Sequence, residues 1–311
     1  MATKPKAVLL MGPTASGKSA LAVSLAHALN AEIISVDSAL VYRGMDIGTA
    51  KPTPQERQGI AHHLIDILDP AESFSTGQFR DHALRTMGEI GARGKLPLLV
   101  GGTLLYFSAL THGLAQLPAA HPDIRQRLDH ELAALGSAAL HQRLQTIDPA
   151  SARRIHPHDP QRILRALEVY EISGQPLSQF FAEQAEHDAA YDFIKLVIAP
   201  TERSTLHTAI AQRFDLMLAQ GFIDEVAALR ARGDLHLGLP SMRCVGYRQA
   251  WAYLDGDHDF TSMRNKAITA TRQLAKRQLT WLRKEQGAHL LETAAVRLLD
   301  DAVAYCLRQG L

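Results

Sequence analysis

One short stretch of the sequence combines residue types that together bind phosphate. Gly12, Gly17, Lys18 and Ser19 fit the pattern G-x-x-x-x-G-K-[S/T]. In this pattern the glycines let backbone N–H groups face phosphate oxygens, the lysine neutralises phosphate charge and the hydroxyl can hold Mg²⁺. The pattern predicts a loop that binds a diphosphate or triphosphate, with Ser19 as the metal ligand. Its members are Gly12, Pro13, Thr14, Ala15, Ser16, Gly17, Lys18 and Ser19.

The acidic residues near other strand ends decide which phosphate chemistry this loop could support. P-loop NTPases place an aspartate at the end of a second buried strand, where it helps to hold Mg²⁺. Here the apolar run 96–100 ends in Gly101-Gly102-Thr103, which has no carboxylate. The first acid at a strand end is Asp37, which fits a proton acceptor, although a cap or a structural ion pair would also explain it. Thr103 could donate to a phosphate oxygen or simply cap a helix.

These residues need a scaffold that brings them to one edge. Short apolar runs alternate with segments of helical periodicity, which is typical of a parallel sheet covered by helices on both faces. Parallel strands present their carboxyl ends at the same edge, next to the phosphate loop. Strands are predicted at 7–11, 32–36, 96–100 and 194–199, and helices at 18–29, 76–93, 202–232 and 261–285.

The strand pattern is absent from the middle of the chain. Between residues 115 and 193 the sequence instead contains helical segments, such as 122–135 and 159–172, separated by breaks that contain proline and histidine. We therefore expect an α/β fold with a P-loop NTPase-like parallel sheet core, formed by residues 1–114 and 194–311. An all-helical insertion domain is expected at 115–193.

Composition excludes several classes of protein. The 311 residues contain 33 Lys+Arg and 32 Asp+Glu, so affinity for a polyanion must come from local clusters of charge. Two cysteines are too few for a disulfide scaffold or a cysteine-rich zinc site, and the 15 histidines lack metal-ligand spacing, so we expect no structural zinc. Because no apolar stretch is long enough for a signal sequence or a membrane span, we expect a cytoplasmic protein without a membrane partner.

Two regions are locally basic. From Arg264 to Lys284 there are seven lysines and arginines and no acid, which favours binding to a phosphate backbone over a solvated helix face. In the insertion, Arg153, Arg154, Arg162 and Arg165 accompany the single Asp159. Residues at 161, 162 and 165 could reach unpaired bases of an RNA loop, because RNA readers stack on such bases and hydrogen-bond to them. Tyr247 and Trp281 are more typical of core aromatics, and the sequence leaves their roles open.

Several segments together resemble one family, the bacterial tRNA dimethylallyltransferases. The most specific of them is Asp37–Pro52, whereas the phosphate loop alone is shared with many kinases. The resemblance covers nearly the whole chain in the right order. The remaining segments are Gly12–Ser19, Gly101–Tyr106, Arg154–Pro157, Gln161–Tyr170, Arg243–Arg248 and Thr271–Gln278.

The resemblance implies a reaction. A dimethylallyl group would move from dimethylallyl diphosphate to N6 of the adenosine just 3′ of a tRNA anticodon, with release of diphosphate. Asp37 would be the general base, Lys18, Arg213 and Thr103 would contact the leaving group, and Mg²⁺ would be the cofactor. The insertion would clamp the anticodon stem-loop, and no obligate protein partner is expected. The tRNA-binding residues would be Asp37, Ser38, Ala39, Leu40, Thr103, Arg125, Gln161, Arg162, Ile163, Leu164, Arg165, Arg243, Cys244, Val245, Gly246, Tyr247, Arg248, Lys276, Arg277 and Arg283.

Two other classes compete with this interpretation. In a P-loop kinase of small molecules, Asp37 would activate a substrate hydroxyl, but two basic regions argue against so small a substrate. An RNA-binding nucleotide switch would need a strand-end aspartate for Mg²⁺, and the sequence has none at 101–103. The preferred tRNAs, the tolerance for longer prenyl donors and the oligomeric state do not follow from the sequence.

Overall fold

The computed structural model describes residues 4–183 and 189–311. In this part of the chain six strands form one parallel sheet in the order β3-β2-β4-β1-β5-β6. The sheet confirms the predicted α/β class. The strands are β1 (Lys6–Met11), β2 (Ala31–Val36), β3 (His62–His63), β4 (Leu96–Gly101), β5 (Asp192–Ala199) and β6 (His289–Glu292).

Helices connect the strands and also form the insertion. The connecting helices are α1 (Lys18–Ala28), α2 (Pro54–Arg57), α3 (Thr76–Ala92) and α4 (Leu104–Thr111). The insertion contains α5 (Pro122–Ile147), α6 (Pro149–Arg154), α7 (Pro160–Ser173) and α8 (Leu177–Ala182). After β5 come α9 (Arg203–Ala219), α10 (Phe222–Ala231), α11 (Tyr247–Leu254), α12 (Phe260–Leu282) and α13 (Leu298–Arg308).

The chain divides into two compact units. The first contains residues 1–111 and 189–311, and the second contains residues 112–188. The second unit has its own apolar core, which includes Leu128, Leu144 and Leu167. The predicted insertion, 115–193, also included the first residues of β5, which pair with β1 in the sheet. Among the described residues, no helix is both long enough and apolar enough to cross a membrane.

Two details differ from the sequence-based expectation. The helix predicted at 202–232 is two helices, α9 and α10, which are separated at Gln220 and Gly221. The short strands β3 and β6 at the sheet edges were not predicted. His62–His63 spans only two residues, and His289–Glu292 spans four. Such segments are too short to show a periodic pattern in a sequence.

The central strands are buried on both faces. Leu9 and Met11 of β1 belong to one apolar cluster, while Val8 and Leu10 belong to the cluster on the other face. All four side chains are 0% exposed. Alternation of side chains along a strand produces this division, and burial on both faces explains why these segments are continuous apolar runs in the sequence. A third cluster packs α9, α10, α11 and α12 together.

Gly101 sets how closely β2 and β4 approach at their carboxyl ends. A Cβ atom on Gly101 would lie 2.0 Å from the backbone oxygen of Val36, which cannot move without disturbing the strand pairing. Gly88, in the interior of α3, has nothing within 4 Å of an added Cβ.

We expect Gly101→Ala to lower the free energy of unfolding by about 1–3 kcal/mol, because the added methyl group must push two paired strands apart. Gly88→Ala is the matched control and should raise it by about 0.5–1 kcal/mol, because alanine is the better helix former. Urea unfolding followed by circular dichroism measures both. Equal stabilities of the two variants would contradict the close approach at Gly101.

Candidate active site

Three neighbouring strands end at the same level of the sheet. Gly101, the last residue of β4, pairs with Met11 of β1 on one side and with Val36 of β2 on the other. The residues that follow these positions are Gly12, Asp37 and Gly102, so the phosphate loop, the carboxylate and the segment containing Thr103 leave the sheet side by side. Gly12 N donates to the backbone oxygen of Gly101 at 3.3 Å, and this hydrogen bond joins the end of β1 to the end of β4.

The predicted phosphate loop has two parts. The amide of Gly12 is used in the sheet, Pro13 has no N–H, and Thr14 N donates to the side chain of Gln278 at 2.9 Å. From Ala15 to Ser19, in contrast, no backbone N–H has an acceptor among the described residues. Positive φ angles at Ala15 and Gly17 shape this part, and α1 begins at Lys18. Consecutive free N–H groups at a helix N-terminus form a site for a phosphate anion.

Lys18 and Arg213 bring positive charge to this loop. Lys18 donates through Nζ to the backbone oxygen of Pro13 at 2.8 Å, and Arg213 of α9 donates through Nη2 to that of Thr49 at 3.4 Å. Burial and the nearby Arg213 charge lower the pKa of Lys18 to about 8, while Asp37 acts in the opposite direction. Burial also lowers the pKa of Arg213, again against the effect of Asp37. An anion bound here would relieve both desolvated cations.

Asp37 and Thr103 meet at the turn after β2. Asp37 Oδ1 accepts hydrogen bonds from Ala39 N at 2.8 Å and Leu40 N at 3.4 Å. Thr103 Oγ1 accepts one from Ser38 N at 3.2 Å, so its own proton remains available to donate. No hydrogen bond reaches Asp37 Oδ2 from residues 4–183 or 189–311. One carboxylate oxygen therefore holds the turn, while the other can accept a proton.

Gln278 of α12 joins the phosphate loop to the end of β4. Its Oε1 accepts from Thr14 N at 2.9 Å, and its Nε2 donates to the backbone oxygen of Gly102 at 2.9 Å. Sequence reasoning did not single out this residue. The signal is present, because Gln278 shares the apolar face of α12 with Ala275 and Leu282. A polar side chain on a helix face turned to the core indicates a hydrogen-bonding task.

Glu225 of α10 holds the Asp37–Pro52 segment. Its carboxylate accepts from Asp46 N at 2.8 Å, Ile47 N at 2.7 Å and Gly48 N at 3.1 Å, and also from the hydroxyl of Tyr247. No local sequence pattern pointed to Glu225, because the three backbone amides that it binds lie 177 to 179 positions away in the chain.

The Tyr247 side chain lies in the core, as is typical of an aromatic in such a segment, although the family resemblance implies that Tyr247 binds tRNA. Tyr247 is 0% exposed, packs edge-on against Phe222 and donates to Glu225. Burial raises the pKa of its hydroxyl, and the Glu225 charge adds to this effect. Gly246 beside it is also buried. In the same predicted segment, Arg243 and Arg248 are exposed, while Cys244 and Val245 are half-buried. Burial raises the pKa of the Cys244 thiol to about 12, with a contribution from the Asp37 charge.

The basic run 264–284 lies on α12 and the turn after it, and its charges are not all free. Arg264 makes a two-pronged contact with Asp215 of α9, with Nη2 2.6 Å from Oδ2. Lys276, Arg277 and Arg283 are exposed and have no acidic partner among the described residues. Trp281 lies among them with 44% of its surface exposed, so it is not the core aromatic that the sequence favoured. The cationic surface available to an anion is therefore the C-terminal part of α12.

In the second unit, Glu168 holds two of the predicted RNA contacts. Glu168 is 1% exposed and accepts from Arg125 Nη2 at 2.8 Å and from Arg165 Nη1 at 2.7 Å. Arg165 also donates to the backbone oxygen of Pro118 at 2.8 Å. These arginines stabilise the insertion, because a buried carboxylate requires partners.

The remaining predicted residues of α7 divide by face. Ile163, which the resemblance implies is a tRNA-binding residue, is 0% exposed within the apolar core of the second unit, so its side chain packs there. Leu164 is half-buried. Gln161 and Arg162 are exposed, although Arg162 also pairs with Asp159 at 2.7 Å. The outer face of α7 therefore offers Gln161 and Arg162. In the first unit, Ser38 is exposed, while Ala39 and Leu40 are half-buried.

The residues around the loop also suit a hydrated magnesium ion. The Ser19 hydroxyl is exposed in the first turn of α1, directly after Lys18. Among the described residues there is no group of three or more His, Cys, Asp or Glu side chains that could hold a metal ion. Mg²⁺ typically takes few protein ligands and completes its shell with phosphate oxygens and water. The Ser19 hydroxyl beside the phosphate site is consistent with this mode of coordination.

We expect the affinity for inorganic diphosphate to fall as the pH rises through about 8, because Lys18 then loses its proton and its charge. Lys18→Arg should keep its affinity to higher pH, since a guanidinium stays protonated. Calorimetric titration with magnesium diphosphate across this pH range measures both proteins. Diphosphate itself titrates in the same pH range, so the test compares the pH profile of affinity for the wild type with that for Lys18→Arg. Identical pH profiles would show that Lys18 does not control binding.

The chain is similar to known proteins over most of its length. A family model described as IPP transferase matches residues 40–285, and one described as Isopentenyl transferase matches residues 5–73. A tRNA dimethylallyltransferase of Methylococcus capsulatus is 57% identical over 298 residues, which cover 96% of each chain. That of Burkholderia multivorans is 61% identical and covers 88% of this chain and 85% of its own.

Solved structures agree as well. The tRNA isopentenylpyrophosphate transferase of Bacillus halodurans matches with a TM-score of 0.72 and 37% identity over 99% of this chain and 98% of its own. A eukaryotic dimethylallyltransferase acting on tRNA matches with a TM-score of 0.82 and 27% identity, over 97% of this chain and 77% of its own. Since a family model spans most of the sequence and close relatives match nearly all of it, the chain belongs to the tRNA dimethylallyltransferases, a family of prenyltransferases.

Proposed function

We propose that this protein transfers the dimethylallyl group of dimethylallyl diphosphate to N6 of the adenosine 3′-adjacent to a tRNA anticodon. The proposal depends on three charged groups near the phosphate loop: the Arg213 charge lowers the pKa of Lys18, and the Asp37 charge raises the pKa of both cations. Asp37 directly follows β2, whose end lies level with the end of β1, where the loop begins. A diphosphate site next to a carboxylate suits a reaction in which diphosphate leaves and the attacking amine loses a proton. The names of the relatives supply the donor group and the RNA acceptor.

The loop would stabilise the leaving group. As the bond between the allyl carbon and the diphosphate oxygen breaks, negative charge grows on diphosphate and positive charge on the carbon. The free N–H groups from Ala15 to Ser19, with Lys18 and Arg213, support such a role because they are fixed before the reaction begins. Preorganised donors at developing charge are an efficient source of catalysis. The Thr103 hydroxyl has a proton available to donate to the same oxygens.

Asp37 would take the proton. The exocyclic amine of adenine is a poor nucleophile, because its lone pair is conjugated with the ring. As N6 bonds to the allyl carbon, its proton would pass to Asp37 Oδ2, the oxygen without a partner among the described residues. The second oxygen keeps the carboxylate in place through Ala39 N and Leu40 N. The products are N6-dimethylallyl adenosine and diphosphate.

Magnesium would bind at this site together with the diphosphate group of dimethylallyl diphosphate. Ser19 would hold it together with diphosphate oxygens, and the ion would neutralise part of the leaving-group charge. The exposed hydroxyl beside Lys18 supports this assignment.

Two exposed surfaces would bind the tRNA. At the C-terminal end of α12, Lys276, Arg277 and the following Arg283 carry charge without acidic partners among the described residues, as a phosphate-binding surface requires. On α7, Gln161 and Arg162 are exposed and can hydrogen-bond to unpaired bases. Since a reacting base must leave its stack, we expect the adenosine to be extruded toward Asp37.

One mass measurement tests the function as a whole. Purified protein is incubated with tRNA, Mg²⁺ and either dimethylallyl diphosphate or ATP, and the RNA is then analysed by mass spectrometry. The proposal requires the mass of one dimethylallyl group to be added to the tRNA with the first donor only. An RNA unchanged by dimethylallyl diphosphate would overturn it, and phosphate transfer from ATP would favour a kinase.

The carboxylate variants separate the two tasks of Asp37. Asp37→Ala should keep tRNA binding but lose about 10²–10⁴ in single-turnover rate, the usual worth of a general base. Asp37→Asn is the matched control for the turn, because its Oδ1 can still accept from Ala39 N while no carboxylate remains. Both variants should be slow. A rate for Asp37→Asn near that of the wild type would mean that Asp37 only holds the turn.

The basic surface of α12 predicts a change in salt dependence. Replacing Lys276 and Arg277 by Gln should flatten the plot of log K against log salt by about 0.7 per lost phosphate contact, the value for single strands. Arg264→Gln on the same helix is the matched control, because Asp215 already compensates that charge. Gln161→Ala should leave the slope unchanged. Filter binding of an anticodon stem-loop across a salt series measures these slopes. Equal slopes for the Lys276/Arg277 double variant and for Arg264→Gln would show that this surface does not bind the phosphate backbone.

A further inference from the structure

A side chain that belongs to neither the phosphate loop nor the carboxylate turn connects the two. Gln278 accepts from Thr14 N and donates to the backbone oxygen of Gly102, each at 2.9 Å. Gly102 is followed by Thr103, whose hydroxyl accepts from Ser38 N at 3.2 Å, and Ser38 directly follows Asp37. A continuous path of hydrogen bonds and covalent bonds thus runs from the phosphate loop to the carboxylate, and Gln278 is its bridge.

The contact is closely fitted on the Gly102 side. A Cβ atom on Gly102 would lie 2.4 Å from Gln278 Nε2 and 3.2 Å from the backbone oxygen of Gly12. Any side chain at position 102 would therefore push the amide away. Gln278 itself is fixed by its helix, since Ala275 and Leu282 on the same face are buried. A rigid helix meets two strand-end loops here, and the amide satisfies one donor and one acceptor at once.

We infer that Gln278 is a positioning residue that sets the distance between the phosphate loop and Asp37. This inference rests on the proposed function, in which the loop holds the leaving diphosphate and Asp37 takes the proton of the attacking amine. These two groups act on opposite sides of the allyl carbon in one step. Their separation must therefore match the length of the reacting assembly, and small misplacements are costly.

The substitution Gln278→Met tests this role, because methionine has a similar length and suits a half-buried site but cannot bridge the two loops. We expect kcat for prenyl transfer to fall by about 10- to 100-fold, with a smaller change in KM for the donor. Gly102→Ala should produce the same loss by displacing the amide, and the double variant should be no worse than either single one. Gln273→Met, at an exposed position of the same helix, is the matched control and should behave as the wild type.

A double-mutant cycle with Asp37 distinguishes positioning from general damage. If Gln278 acts by aligning the loop with Asp37, then Gln278→Met should cost little further rate once Asp37→Ala has removed the carboxylate. Additive losses in the two backgrounds would overturn the inference, because they would mean that Gln278 acts independently of the proton acceptor.

Hydrogen exchange provides a readout that does not depend on activity. The Thr14 amide donates to Gln278, so its exchange with solvent should be at least about tenfold faster in Gln278→Met and unchanged in Gln273→Met. Unchanged exchange at Thr14 in Gln278→Met would overturn the bridge. If the wild-type protein transferred no dimethylallyl group, the proposed function would fail, while the exchange experiment would still decide whether Gln278 fixes the loop.

Discussion

The structure depends on the register of three parallel strands. Gly101 at the end of β4 lies opposite Met11 of β1 and Val36 of β2, so all three strands stop at one level. Because side chains alternate between two buried faces that are packed differently, a shift by one residue would exchange the side chains of the two faces and disrupt the packing of both. The register is thus fixed by packing. Residues that are far apart in the sequence then leave the sheet next to one another, and a glycine at position 101 allows the close approach.

At this edge of the sheet, burial disfavours the charged forms of the two cations when no anion is bound. Burial lowers the pKa of both Lys18 and Arg213, which means that their charged forms are less favourable here than in water. The single carboxylate of Asp37 offsets part of this cost. Under the proposed function, diphosphate supplies the remaining negative charge, and it supplies more as the bond to the allyl carbon breaks. Desolvated cations therefore favour the transition state over the ground state.

Much of this arrangement could be read from the sequence, because its signals are local. The phosphate loop is a contiguous pattern, and β1, β2 and β4 are continuous apolar runs, so their strand ends and the adjacent Asp37 and Thr103 followed directly. The contacts of Glu225 and Gln278 with backbone groups could not be predicted in this way, since those groups are 177 or more and 176 or more positions away. Tertiary packing also buries the side chains of Tyr247 and Ile163, two residues for which the family resemblance implies tRNA binding.

Helix α12 combines two tasks through its periodicity. Successive residues of a helix point about 100° apart, so Arg277 and Gln278 face different directions although they are neighbours. Arg277 is exposed with Lys276, while Gln278 reaches the two loops of the candidate active site. Asp259 caps the start of the helix, and Leu282 packs into the core at its end. A helix held at both ends keeps the residues on its different faces at fixed positions relative to one another. In the proposed reaction, the surface that holds RNA and the side chain that aligns the loops therefore lie on the same helix. A change that tilts α12 would disturb both of them.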